Sequence, residues 1–180
     1  MQRIILWFRN DLRVHDNPVL AWAVKNKRPS AQIVPVFCFD PRFFTKSQPD
    51  YLMNRKSGIH RTRFQIESVQ DLRNNLQQLG SGLLVSMEQP ELFLPKLINP
   101  EMDTTVVFSA ETCSEERKVE DDLVKAMAGC SFVDVWGNTM VHIDDFPQQM
   151  WDRFPSSGTA FMRSTDNVPI RPNCPTPTFG

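Results

Sequence analysis

Apolar residues in this chain come in short runs, and each run breaks at a polar turn. Ile4-Ile5-Leu6-Trp7-Phe8 leads straight into Arg9-Asn10-Asp11-Leu12-Arg13, and Asn17-Pro18 opens the next apolar stretch. A short run this apolar fits a strand covered on both faces. Strands are predicted at Ile4–Phe8, Val34–Phe39, Leu83–Met87, Thr105–Ser109 and Phe132–Trp136. Between them the period changes to that of a helix. Ile66, Val69, Leu72, Leu76 and Leu79 recur at spacings of three and four, which predicts a helix over His60–Leu79 with Gly80 as its stop. Asn17 is placed to cap a first helix, and Pro18 suits its first turn. A short helix is expected at Pro90–Ile98. Another is expected over Ser114–Ala128, with Val119, Leu123 and Met127 on one face and Gly129 at its end.

Strands alternating with helices mean βαβ units and right-handed crossovers. The fold class expected is α/β: a Rossmann-like doubly wound, five-stranded parallel sheet with helices on both faces. Ligands of such sheets sit beyond the carboxyl ends of the strands. The domain is expected to occupy residues 1–145. Residues 146–180 read as an extended return segment, anchored by Trp151, Phe154 and Phe161, and a proline-rich linker from Pro169 onward.

Composition narrows the classes. With 20 basic and 21 acidic residues, the chain has no basic field that would favour nucleic acid. No apolar run approaches the roughly 18 residues of a membrane span. No targeting segment is visible, so the expected location is intracellular, cytoplasmic or nuclear. Cys38, Cys113, Cys130 and Cys174 lack metal-ligand spacing and read as reduced thiols. GxGxxG and GxxxxGK[ST] are both absent, which removes the dinucleotide and P-loop readings. His15, His60 and His142 have no nucleophile or metal partner by spacing. The His142-Ile143-Asp144-Asp145 run imitates a metal cluster but reads as structural.

Four stretches, in order, resemble the photolyase/cryptochrome family: Leu6 to Pro18, Val34 to Phe44, Glu111 to Glu120 and Val135 to Pro147. The last two are similar to the DASH cryptochromes. The resemblance implies the N-terminal α/β antenna domain, whose partner is a helical FAD-binding domain in cis or in trans. That helical domain is expected to be absent here, so none of Trp7, Trp22, Trp136 or Trp151 is given an electron-transfer role. The parent family includes deoxyribodipyrimidine photo-lyases. By itself this chain is expected neither to repair DNA nor to contact nucleic acid or membrane. The implied cofactor is a folate-type antenna, 5,10-methenyltetrahydrofolate. Alternatives from other classes are a small-molecule-binding Rossmann-type module, a stand-alone interaction module, and a piece of a whole cryptochrome.

Within that resemblance, Glu115 matches the glutamate that hydrogen-bonds the antenna pterin. A carboxylate suits the N–H and NH₂ edge of such a ring. Thr112-Cys113-Ser114-Glu115 also spells a capping box, with Glu115 reaching back to its own helix start. The exits of the first two strands supply Arg9, Asn10, Cys38, Phe39 and Asp40, with Phe39 as a flank for a flat ring or as core. Arg9 with Asp11, and Arg13 with Asp16, read as internal ion pairs. Lys56 stands where DASH proteins place a lysine able to neutralise a folate's glutamate tail. The preceding Asn54-Arg55 replaces their aromatic and proline, so a solvated basic loop is the other reading.

Overall fold

Each face of the central strand packs its own set of helices. In the computed structural model, which describes residues 1–45 and 56–177, β1 spans Gln2–Phe8, β2 Gln32–Cys38, β3 Leu84–Ser86, β4 Asp103–Ser109 and β5 Ser131–Val135. All pairings are parallel and the order is β3-β2-β1-β4-β5. Alternate residues of β1 face opposite sides, as the period of two requires. Ile4, Leu6 and Phe8 pack with Val19, Leu20 and Ala23 of α1 (Pro18–Asn26) and Val69, Leu72 and Leu76 of α2 (Ile59–Gln78). Ile5 and Trp7 pack with Leu94, and with Leu123 and Met127 at α4 (Ser114–Ala126). The predicted doubly wound sheet is therefore present, with its order reversing between β1 and β4.

Local chemistry sets the ends. Asn17 caps α1 by accepting from the Leu20 N–H at 2.9 Å. Gly80 takes φ = 81°, a conformation that favours glycine. There the Ser81 N–H reaches the Leu76 carbonyl (2.9 Å) and the Gly80 N–H the Gln77 carbonyl (3.0 Å), which closes α2 in a Schellman motif. The expected single helix at Pro90–Ile98 is instead α3 (Pro90–Phe93) followed by a 3₁₀ turn at Leu94–Leu97. Pro95 has no N–H to continue the α pattern.

Beyond β5 the chain is less extended than its sequence suggests. Two short helices form, α5 (Gln148–Asp152) and α6 (Gly158–Thr165). Phe146 sits 5.9 Å from both Trp151 and Phe161, and Phe154 sits 5.9 Å from Phe161, so packing among aromatics replaces a polar return path. The proline-rich stretch is tied back: Arg171 forms a two-pronged pair with Asp145 (2.6 and 2.7 Å), and the Cys174 N–H donates to Asp16 at 2.9 Å. His142 accepts the Asp144 N–H at 3.2 Å, so the His-Ile-Asp-Asp run shapes a turn. No helix among the described residues is long and apolar enough to cross a membrane.

Candidate functional site

A cavity of about 280 Å³ opens where β1 and β2 end, against the first turn of α4. Such a volume lies at the lower edge of the ~300–1,000 Å³ usual for small-molecule sites. Arg9, Asn10, Cys38, Asp40, Lys56 and Glu115 all line it; Phe39 does not. Phe39 packs edge-on against Phe37, with ring centroids 4.9 Å apart, and joins the core on the α1/α2 side. Trp7, Phe43 and Phe44 are among the aromatic residues that do line the cavity. Asn54 and Arg55 lie outside the described residues.

Several lining groups are already committed. Asp40 is buried and holds Arg42, whose Nε donates to both carboxylate oxygens at 2.9 Å. Arg42 also pairs with Glu91 at 2.8 Å, and the Asp40 hydrogen bonds lift its guanidinium further above its ordinary range. Burial, helped by the charges of Asp40, Glu88 and Glu91, pushes the Cys38 thiol up to about 12, so it forms a neutral wall. Asn10 donates to Glu111 at 3.0 Å. Lys56 pairs with Glu115 and lies 5.5 Å from the centre of the Phe43 ring, so it is not a free basic loop residue.

The capping box does not form. The residue before α4 is Cys113, with no side-chain cap bond, and Glu115 spends its carboxylate on Lys56 at the rim, two-thirds exposed. The next residue behaves differently. Glu116 lines the cavity, and its Oε2 is buried without a hydrogen-bond partner among the described residues. Orphans of this kind are rare enough to call for a reason. The signal was in the pattern: Glu116 stands seven residues before Leu123, about 20° from it around the helix, on the inner face. Glu115 lies about 80° off on the other side.

Arg9 and Asp11 are not an ion pair. The Arg9 N–H donates to Asp11 Oδ1 at 3.0 Å, while its guanidinium crosses to Glu120. Arg13 likewise donates to the Asp16 carbonyl, at 3.0 and 2.8 Å, rather than to its carboxylate. Both turns satisfy backbone groups first, because an unpaired buried backbone group is costly. Burial raises the Asp11 carboxyl above its ordinary 3.8, against the lowering effect of the N–H groups around it and of Asn17. The folded state therefore holds that proton longer than the unfolded chain does. Its contribution is complete below 3.8 and is lost as pH rises through the raised value. Urea titrations across that window should show wild-type stability falling with pH. The curve for Asp11→Asn should be flatter; parallel curves would mean that Asp11 titrates normally.

A profile of the DNA photolyase family matches residues 4–177. Cryptochrome DASH of Gloeobacter violaceus is 39% identical over 177 residues, covering 97% of this chain and 34% of its own length. Blue-light photoreceptor PHR2 of Arabidopsis thaliana is 38% identical over 169 residues, or 93% of this chain and 36% of its own. The crystal structure of a Synechocystis cryptochrome superposes with a TM-score of 0.86 at 32% identity, over 98% of this chain and 36% of that one. An archaeal photolyase from Sulfolobus tokodaii, 22% identical, shares the fold with a TM-score of 0.75, over 100% of this chain and 38% of its own. The chain spans about a third of the length of the relatives it matches. From the first strand to the proline-rich segment, then, this chain belongs to the DNA photolyase family, with DASH cryptochromes among its relatives.

Proposed function

We propose that this chain is the light-harvesting domain of a DASH-type cryptochrome and holds a folate-type antenna chromophore, 5,10-methenyltetrahydrofolate, in the cavity at the end of β1. The carrying observation is the unpartnered Glu116 Oε2 in the cavity wall. A pterin ring presents adjacent N–H and NH₂ donors, and a carboxylate accepts two such bonds side by side. Glu116 thus takes the role that the family resemblance suggested for Glu115. Phe43 and Phe44 offer aromatic surface for the ring, and the neutral Cys38 thiol adds no charge beside it. Lys56 and Glu115 stand at the rim, where a glutamate tail would leave. Bound there, the chromophore would absorb near-UV or blue light and pass excitation to a flavin held in a separate helical domain. We assign that domain to the exposed apolar surface around Trp151, Phe154 and Met162. On this reading the chain does not repair DNA by itself.

The test is an absorption and fluorescence spectrum of the purified chain after addition of the folate and gel filtration. A retained near-UV band is expected. Glu116→Gln should weaken binding by at least about tenfold, the worth of one charge-assisted hydrogen bond. Glu115→Gln should change it by less than about twofold, in keeping with an exposed pair. A colourless chain that ignores the folate would end the antenna reading. Full affinity in Glu116→Gln would move the ring elsewhere.

A further inference from the structure

We infer that Arg9 is the positioning residue of this site, fixing Glu116 in the cavity wall without itself binding the chromophore. The role presupposes the pterin-reading function of Glu116 proposed above. The Arg9 side chain is only 7% exposed. Its Nη1 donates to Glu120 and to the Ser109 carbonyl (3.3 Å), and its Nη2 to the Glu116 carbonyl (3.4 Å). The guanidinium carbon lies 4.7 Å from the centre of the Trp7 ring and 5.9 Å from that of Phe108. One planar fork thus joins the ends of β1 and β4 to the first turns of α4. Cys113 offers no side-chain cap, and Glu115 leans outward to Lys56. With its donors aimed at α4 and Ser109, Arg9 sets where Glu116 sits.

Lysine cannot replace this function. An ammonium keeps the charge toward Glu120 but lacks the planar fork that also reaches Ser109 and Glu116. The decisive experiment is a double-mutant cycle of Arg9→Lys and Glu116→Gln, read by titration with 5,10-methenyltetrahydrofolate. Arg9→Lys alone should weaken binding about tenfold and move the bound absorption band toward that of the free folate. On the Glu116→Gln background the same change should cost less than about twofold, because residues acting through one another do not add. Amide exchange in the ligand-free chain gives a second readout: Arg9→Lys should speed exchange at Arg117 and Lys118 about tenfold while leaving β2 unchanged.

Additive effects in the cycle, or wild-type affinity in Arg9→Lys, would overturn the inference and leave the antenna reading standing. Unchanged exchange at Arg117 and Lys118 would overturn it as well, whether or not any folate binds. A wild-type chain that binds no folate would remove the antenna reading, and the positioning role with it.

Discussion

Glu120→Ala should destabilise the domain by about 3 kcal/mol, the low end of what removing one partner of a buried ion pair costs. The low end applies because Glu120 keeps 17% of its side chain exposed, so water can reach the vacated site in part. Arg9 would be left with two carbonyls at 3.3 and 3.4 Å and the faces of two aromatic rings. None of these neutralises a buried guanidinium. Glu120→Gln keeps an acceptor and should cost about half as much. The informative control removes both charges: Arg9→Met with Glu120→Leu should recover most of the loss, because packed apolar groups replace a buried pair at little cost. Urea unfolding would read all three as shifts in midpoint at constant slope. A Glu120→Ala loss under about 1 kcal/mol would place the pair among surface ion pairs, where water screens the charge.

The fold was legible because its determinants are local and periodic. Ile4 to Phe8 has no polar residue to turn toward water, so β1 had to be central; Val69, Leu72 and Leu76 could share only one helix face. The candidate site was legible by place rather than by role. Strand exits and the first turn of α4 were the right neighbourhood, because topology alone puts them together. Which carboxylate faces inward is a question of helix phase, and Glu115 and Glu116 differ by only one residue in sequence but by about 100° in direction. Arg9 was hardest to read. A local view pairs it with Asp11, two residues away, whereas its partner Glu120 lies 111 residues on and depends on β1 and β4 being neighbours. The return segment was misjudged for a similar reason. Trp151 and Phe161 lie on short helices that pack on one another through Phe146 and Phe154, rather than on segments of strong intrinsic period.

Asn17→Ala should cost about 3 kcal/mol, from two separable losses. Asn17 is 1% exposed and works in both directions. Its Oδ1 caps α1 through the Leu20 N–H, and loss of such a cap costs about 1 kcal/mol. Its Nδ2 donates to the carbonyls of Asp11 (3.1 Å) and Arg13 (2.9 Å), and leaving these unpaired adds about 2 kcal/mol together. Asn17→Ser divides the two: the hydroxyl can still cap Leu20 but is too short to span to Asp11 and Arg13, so it should recover about 1 kcal/mol. Asn17→Asp keeps the cap but places a second carboxylate beside Asp11, whose pKa burial already raises. Its deficit should therefore shrink as pH falls, whereas the alanine deficit should not. The segment between Arg9 and Asn17 connects the cavity to α1, so the alanine variant should also loosen the Arg9 N–H held by Asp11, seen as faster amide exchange there. Equal stability of the alanine and serine variants would show that the cap bond contributes nothing. An alanine cost below 1 kcal/mol would show that water replaces Asn17, and that the loop carrying Arg9 is held from the α4 side alone.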